Sequence, residues 1–312
     1  MNRRWARAKL PKLGWVRFRW SRPLGGTVKN ATVAREGRRW YISFLVDDGE
    51  QPLTRHARPD TGIGVDRGVA KIGTTSEGQF HHKVFARDRE VEHAVKLQRD
   101  LARTTKGSNR RTRAARRVGA FAARIRRRRE DFAAKTAHAL TRDHDLIVFE
   151  ALKTKNMTAT AKPKPDPGRP GTFLPNGAAA KSGLNRAILD KGWHRIELTV
   201  RSKARYTGTC VITVNPANTS ITCHESKKVD AKSRKSQTVF ACTSCRHRDH
   251  AYVNAAKNIL TAGRAELAQA RPVARVGARK PRSRVGRKVN RQATASGAAA
   301  KTGSRTAGIP RP

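Results

Sequence analysis

Three cysteines and two carboxylates are the residues of this 312-residue chain whose types and spacing suit chemistry. Cys242 and Cys245 stand two residues apart, the spacing of a zinc knuckle that turns both thiolates toward one metal. Cys223 lies far enough upstream to belong to an opposing knuckle. A complete ribbon needs a fourth ligand. The residue three after Cys223 is Ser226, whose hydroxyl is a poor partner for zinc, and His224 and His247 are the alternative donors. Asp66 stands in the apolar stretch Gly62-Ile63-Gly64-Val65, where a carboxylate is costly to bury unless a cation or metal lies opposite, which makes it a candidate site residue. Glu150 closes the run Leu146-Ile147-Val148-Phe149, of buried-strand type. The fourth cysteine, Cys210, begins the strand-like Cys210 to Val214 and reads as a small buried apolar residue.

The elements that must position these groups follow from hydrophobic period. Residues 1–58 alternate in the manner of half-buried strands at Val16 to Trp20, Thr27 to Val33 and Trp40 to Val46, with a turn at Glu36-Gly37. This small antiparallel unit begins so near Met1 that it reads as part of a longer barrel. Gly62 to Ala70 and Lys71 to Gly78 read as a hairpin. From 86 to 141 the period becomes helical: Val91, Ala94, Leu97 and Leu101 mark one helix ending near Lys106-Gly107, and Ser108 or Asn109 caps a second striped by Val118, Phe121, Ile125, Phe132 and Leu140. The quartet Arg126, Arg127, Arg128 and Arg129 on that helix points to phosphate contact. The proline-rich loop from Pro163 to Pro175 reads as disordered. Leu189, Trp193, Ile196, Val200 and Ala204 read as the core stripe of a further helix. Beyond Thr261 the composition collapses into Arg, Ala, Gly, Pro and Lys, a tail unable to fold alone.

Composition narrows the partner. Sixty-eight lysines and arginines against 23 acidic residues leave a net charge of +45, which repels itself unless a polyanion neutralises it, and nucleic acid is the default polyanion. No apolar run approaches the ~20 residues that span a bilayer, and the N-terminus lacks a secretory apolar core, so neither a membrane nor a small-molecule substrate is expected. Four cysteines, three of them at metal spacing, suit a reducing cytoplasm, here in association with the nucleoid.

Several segments, in order, resemble the TnpB/OrfB family, transposases of bacterial insertion sequences related to type V CRISPR effectors. They are Gly64 to Val69, Lys106 to Arg111, Ile147 to Glu150 with Lys155 to Met157, Val214 to Ser220 with Cys223, Lys235 to Phe240, Cys242 to Cys245, and Val253 to Leu260. The resemblance implies an α/β RNase H-like (RuvC) domain over 59–215 with a basic helical hairpin inserted at 86–141 and a partial β-barrel, wedge-like unit at 1–58. A zinc ribbon follows at 216–250, then a final RuvC helix at 251–262 and a disordered tail at 263–312. It implies DNA and a guide-type RNA as partners, Zn²⁺ in the ribbon, and Mg²⁺ on three carboxylates, two of them Asp66 and Glu150, which should converge within metal-bridging reach. Arg110 and Arg111, in a matching segment, join the arginine quartet as nucleic-acid contacts.

Three departures shape the functional expectation. The family's third aspartate is Tyr252 here, a phenol that stays neutral at pH 7 and cannot bridge metals as a carboxylate does; Asp249 is the nearest surrogate. The family's second ribbon cysteine is Ser226, and Met1 falls inside the family's barrel, as in an N-terminally truncated copy. The leading expectation is a nucleic-acid binder that has lost cleavage. An active metal-dependent endonuclease using Asp66, Glu150 and Asp249 is the first alternative, and a structural RNA-binding zinc-ribbon protein the second.

Overall fold

The computed structural model describes residues 5–36 and 39–270; the tail beyond, and Gly37 of the expected turn, lie outside them. Two separate antiparallel hairpins come first, β1 (Trp5–Leu10) with β2 (Gly14–Arg19), and β3 (Thr27–Glu36) with β4 (Arg39–Asp47). The sequence reading had one unit and missed β1. Along β4 the alternation sets Ile42, Phe44 and Val46 half-buried between exposed neighbours. Phe18 of β2 meets Phe44 at 5.6 Å between ring centroids, so the two hairpins touch through aromatic rings.

The chain then builds one mixed sheet. Its strands are β5 (Gly62–Asp66), β6 (Gly73–Thr75), β7 (Phe80–His81), β8 (Leu146–Glu150) and β9 (Cys210–Val214), in the order β7-β6-β5-β8-β9. The first three form an antiparallel meander, while β5, β8 and β9 run parallel. Parallel neighbours need long crossovers. Helices α1 (Asp88–Ala102) and α2 (Asn109–Asp143) lie between β7 and β8, and α3 (Thr154–Met157), α4 (Ala178–Lys191) and α5 (Trp193–Ala204) between β8 and β9. After β9 come the short pair β10 (Val239–Ala241) and β11 (Arg248–His250), and then α6 (Ala251–Ala270).

Period two along β8 explains the layering. Ile147 and Phe149 join Ile63, Ala137, Leu140, Trp193, Ile196 and Val200 in a core beneath α2 and α5, while Leu146 and Val148 meet Ile259 and Val214 beneath α6. Two glycines let α6 lie close on the sheet: a side chain at Gly64 would overlap the carbonyl oxygen of Ala256, and one at Gly263 would overlap the methyl groups of Val148.

Several expectations change here. The helical insertion is only half an insertion, because the C-terminal part of α2 supplies Ala133, Ala137 and Leu140 to the main core. The last helix runs to Ala270 rather than 262, since Leu267 continues its apolar face, so 263–270 are helix and not tail. The Leu189 to Ala204 stripe is broken at Gly192, whose φ of 67° ends α4 and begins α5, and Leu189 is exposed. Cys210 is exposed at the start of β9. The proline-rich loop is folded back on itself, with Pro165 bridged to Phe173 and the Leu174 N–H bonded to the Lys164 carbonyl at 2.8 Å. Among the described residues no helix is long and apolar enough to cross a membrane.

Candidate functional site: a carboxyl pair and a cysteine centre

The register of β5 on β8 pairs Val65 with Phe149, so Asp66 and Glu150, the next residue on each strand, leave the sheet side by side at its carboxyl end. The two carboxyl groups share a hydrogen bond. Burial, followed by the charge of Glu150, pushes the Asp66 carboxyl up to about 7. Burial also raises Glu150, opposed by the Thr219 hydroxyl that donates to it at 2.7 Å and by the guanidinium charges of Arg67 and Arg234. Arg67, directly after Asp66, is buried. It donates to the Glu150 carbonyl and to Glu197 Oε2 at 2.9 Å, and lies 5.2 Å over the Phe149 ring. It fastens the ends of both acid-bearing strands to α5.

Tyr252 stands in the first turn of α6, buried, with its ring 3.8 Å from where a side chain on Gly68 would begin. The guanidinium of Arg234 lies 5.5 Å over that ring and acts electrostatically on both Asp66 and Glu150. Arg234 thus brings a positive charge to bear on the acid pair. Asp249 is engaged elsewhere: the Lys257 ammonium donates to it at 2.8 Å and His247 Nε2 is 3.8 Å away. A two-metal carboxylate site needs further acidic oxygens, and among the described residues no third aspartate, glutamate or histidine joins Asp66 and Glu150 at ligand distance, so the donor set does not fit a pair of Mg²⁺ ions. Sequence reasoning missed Arg234, Arg67 and Thr219.

Cys223, Cys242 and Cys245 come together, with their sulfurs all within 4.8 Å of one another, around a small core that includes Phe240 and Ala251. Cys223 Sγ is 3.6 Å from Cys245 Sγ, and Ser226 Oγ is 3.6 Å from Cys242 Sγ. Tetrahedral zinc with Zn–S bonds of ~2.3 Å has ligand edges of ~3.8 Å, so three thiolates fit the ion. The Cys242 thiol is drawn down to about 6 by the Cys245 N–H first and the Ser226 hydroxyl next, which favours the thiolate that a metal requires.

The arginine quartet faces carboxylates of the chain itself. Arg126 and Arg127 both pair with Glu36 at the end of β3, Arg128 forks onto Glu90 at 2.7 and 2.9 Å, and Arg129 pairs with Asp190. Arg111 closes the α1–α2 turn through the carbonyls of Leu101 and Thr104. Arg110, Arg113, Arg116 and Arg117 on the first turns of α2 have no ion-pair partner among the described residues.

Residues 43–161 match the OrfB_IS605 family, described as a probable transposase, and residues 193–259 match the Cas12f1-like TNB domain. The chain is 37% identical over 265 residues to the "Putative RNA-guided DNA endonuclease InsQ" of Escherichia coli (strain K12), across 84% of this chain and 63% of that protein. It is 30% identical over 255 residues to a "Putative RNA-guided DNA endonuclease" of Streptomyces pristinaespiralis, across 80% of this chain and 57% of that one. Among solved structures, a Cas12f1–sgRNA–target DNA complex aligns with 73% of this chain and 55% of that chain at 18% identity, with a TM-score of 0.39. The chain thus spans 63% and 57% of the length of the two curated relatives. One family match spans the segment that holds Asp66 and Glu150 and the other the cysteines and Tyr252, so the chain carries an OrfB_IS605 transposase segment followed by a Cas12f1-like TNB segment.

Proposed function

We propose that this chain is a TnpB-like nucleic-acid-binding protein whose RNase H-like (RuvC) centre no longer cuts. The observation that supports the reading is that no third acid joins Asp66 and Glu150 among the described residues, while Tyr252, the residue that the family pattern aligns with its third aspartate, has Arg234 stacked on it, and that guanidinium acts on both acids. A phenol supplies no charge at neutral pH, and a guanidinium beside two carboxylates repels the divalent ions that activate water in such nucleases. Asp249 is no substitute while Lys257 neutralises it.

DNA and a guide-type RNA are the partners of this reading, supported by the +45 charge and by the printed names of the relatives. The contacting arginines are Arg110, Arg113, Arg116 and Arg117, whose forks are open to phosphate; those of the quartet are occupied by Glu36, Glu90 and Asp190. In this assignment 1–58 is the wedge-like unit, 216–250 the zinc-binding ribbon, and α6 closes the RuvC core.

A plasmid-nicking assay with Mg²⁺ or Mn²⁺, run beside a binding titration over salt concentration, tests this. The unmodified chain should bind with an affinity that falls steeply as salt rises and should leave the plasmid intact. Tyr252→Asp should bind Mn²⁺ more tightly by electron paramagnetic resonance. Robust cutting by the unmodified chain that disappears in Asp249→Ala would overturn the reading and make this a working nuclease.

A further inference from the structure

The two halves of the cysteine centre are built alike. In the first, the Lys227 N–H donates to the Cys223 carbonyl at 3.0 Å and the Cys223 N–H to the Lys228 carbonyl at 2.9 Å; in the second, the Cys242 N–H donates to the His247 carbonyl at 2.8 Å. Residues five apart are thus joined in both halves. The residue just after the knuckle takes a left-handed conformation in each, with φ of 59° at Lys227 and 62° at Arg246. By this correspondence Ser226 occupies the corner that Cys245 occupies across the centre, and its 3.6 Å approach to Cys242 Sγ sets it at ligand distance.

The two histidines do not take that corner. Among the described residues, the donor atoms mutually within 4.8 Å are the three sulfurs alone, with no ring nitrogen of His224 or His247 in the group. His247 Nε2 instead faces Asp249. Ser226 and Cys245 are both exposed, so the corner opens to solvent. Zinc held by three protein ligands with a weak or absent fourth is the arrangement of exchangeable sites, whereas structural sites are closed by four.

We infer that this centre holds its metal through Cys223, Cys242 and Cys245 and keeps the Ser226 corner as an exchangeable coordination position that a small monothiol enters as thiolate. The exchange is a ligand substitution without redox change. The thiol's sulfur forms a bond to the metal, its proton passes to solvent, and the Ser226 hydroxyl or a water leaves with its own protons. Lys227, Lys228 and Arg246 beside the centre offset the added negative charge.

The test is optical. The full chain, kept reduced with a phosphine, is loaded with Co²⁺ and titrated with 2-mercaptoethanol. Sulfur-to-cobalt charge transfer scales with the number of bound thiolates, so the unmodified chain should start at about three quarters of the intensity of Ser226→Cys and rise to match it as thiol is added. The Ser226→Cys spectrum should not respond. Should that variant fail to fold, a saturable rise of about one third in the unmodified chain, unchanged in His224→Ala and His247→Ala, is the same result. The inference is overturned if the unmodified chain binds no Co²⁺, if thiol leaves its spectrum unaltered, or if either histidine variant changes the starting spectrum.

Discussion

Replacing Asp66 by Asn should stabilise this protein at neutral and alkaline pH, and by an amount that vanishes in acid. In the folded chain the Asp66 carboxyl is raised from 3.8 to about 7 by burial and by Glu150. Below pH 4 the group is protonated folded and unfolded, and it contributes nothing. Between pH 4 and 7 the folded state holds a proton that the unfolded state has released, so stability falls as pH rises, and above 7 the full cost is present. A rise of about three on the pKa scale corresponds to ~4 kcal/mol. Glu150 and Arg234 share the burden, which brings the expected gain for Asp66→Asn to ~2 kcal/mol at pH 8, or ~4–8 °C in Tm for a folded unit of this size. The asparagine amide can donate to Glu150 where two carboxylates competed for one proton. Thermal unfolding of both proteins at pH 4, 6 and 8 by circular dichroism decides it. A variant no more stable than the parent at pH 8, or with the same advantage at pH 4, would refute the claim that Asp66 is held in a buried, acid-paired environment.

Other substitutions address other contacts. Arg67→Met removes the guanidinium that joins Glu197 to the Glu150 carbonyl and should lower stability by ~2 kcal/mol in urea unfolding, because the Glu150 carbonyl loses this buried donor and Glu197 is left with Arg201 alone. Gly64→Ala should cost at least ~2 kcal/mol, or abolish soluble expression, since the added methyl meets the Ala256 carbonyl on a helix that cannot back away. Glu36→Gln frees Arg126 and Arg127 and should strengthen nucleic-acid binding at low salt while steepening its salt dependence by one to two phosphate contacts; an unchanged slope would show that these arginines lie out of reach of the polymer.

The acids and the cysteines were legible in the sequence because each stands out against its surroundings. Asp66 and Glu150 end apolar runs that read as buried strands, and the Cys242/Cys245 spacing admits few other uses. Arg234 was not legible, being one of 68 basic residues in a basic insert, and only the fold carries it to the acid pair. The ion pairs of the arginine quartet were not legible for a related reason. Its carboxylate partners Glu36, Glu90 and Asp190 lie 38 to 91 residues away, and no local pattern announces them. The sequence leaves the fourth corner of the cysteine centre open among His224, Ser226 and His247, and the backbone likeness of its two halves, which sets Ser226 opposite Cys245, is not legible in residue spacing. The Leu189 to Ala204 stripe failed because apolar period continues across Gly192 while the backbone does not.

The close seating of α6 on the sheet separates what keeps this protein folded from what it does. Gly64 and Gly263 let the helix lie backbone against strand, and Ala255, Ala256 and Ile259 bury its underside. None of these contacts depends on the chemistry of position 252, although that position sits on the same helix. The residue at position 252 is therefore free to vary without loss of the scaffold: substitutions there can change what the sheet's carboxyl end binds while the helix stays seated by the contacts of Gly64, Ala256, Ile259 and Gly263.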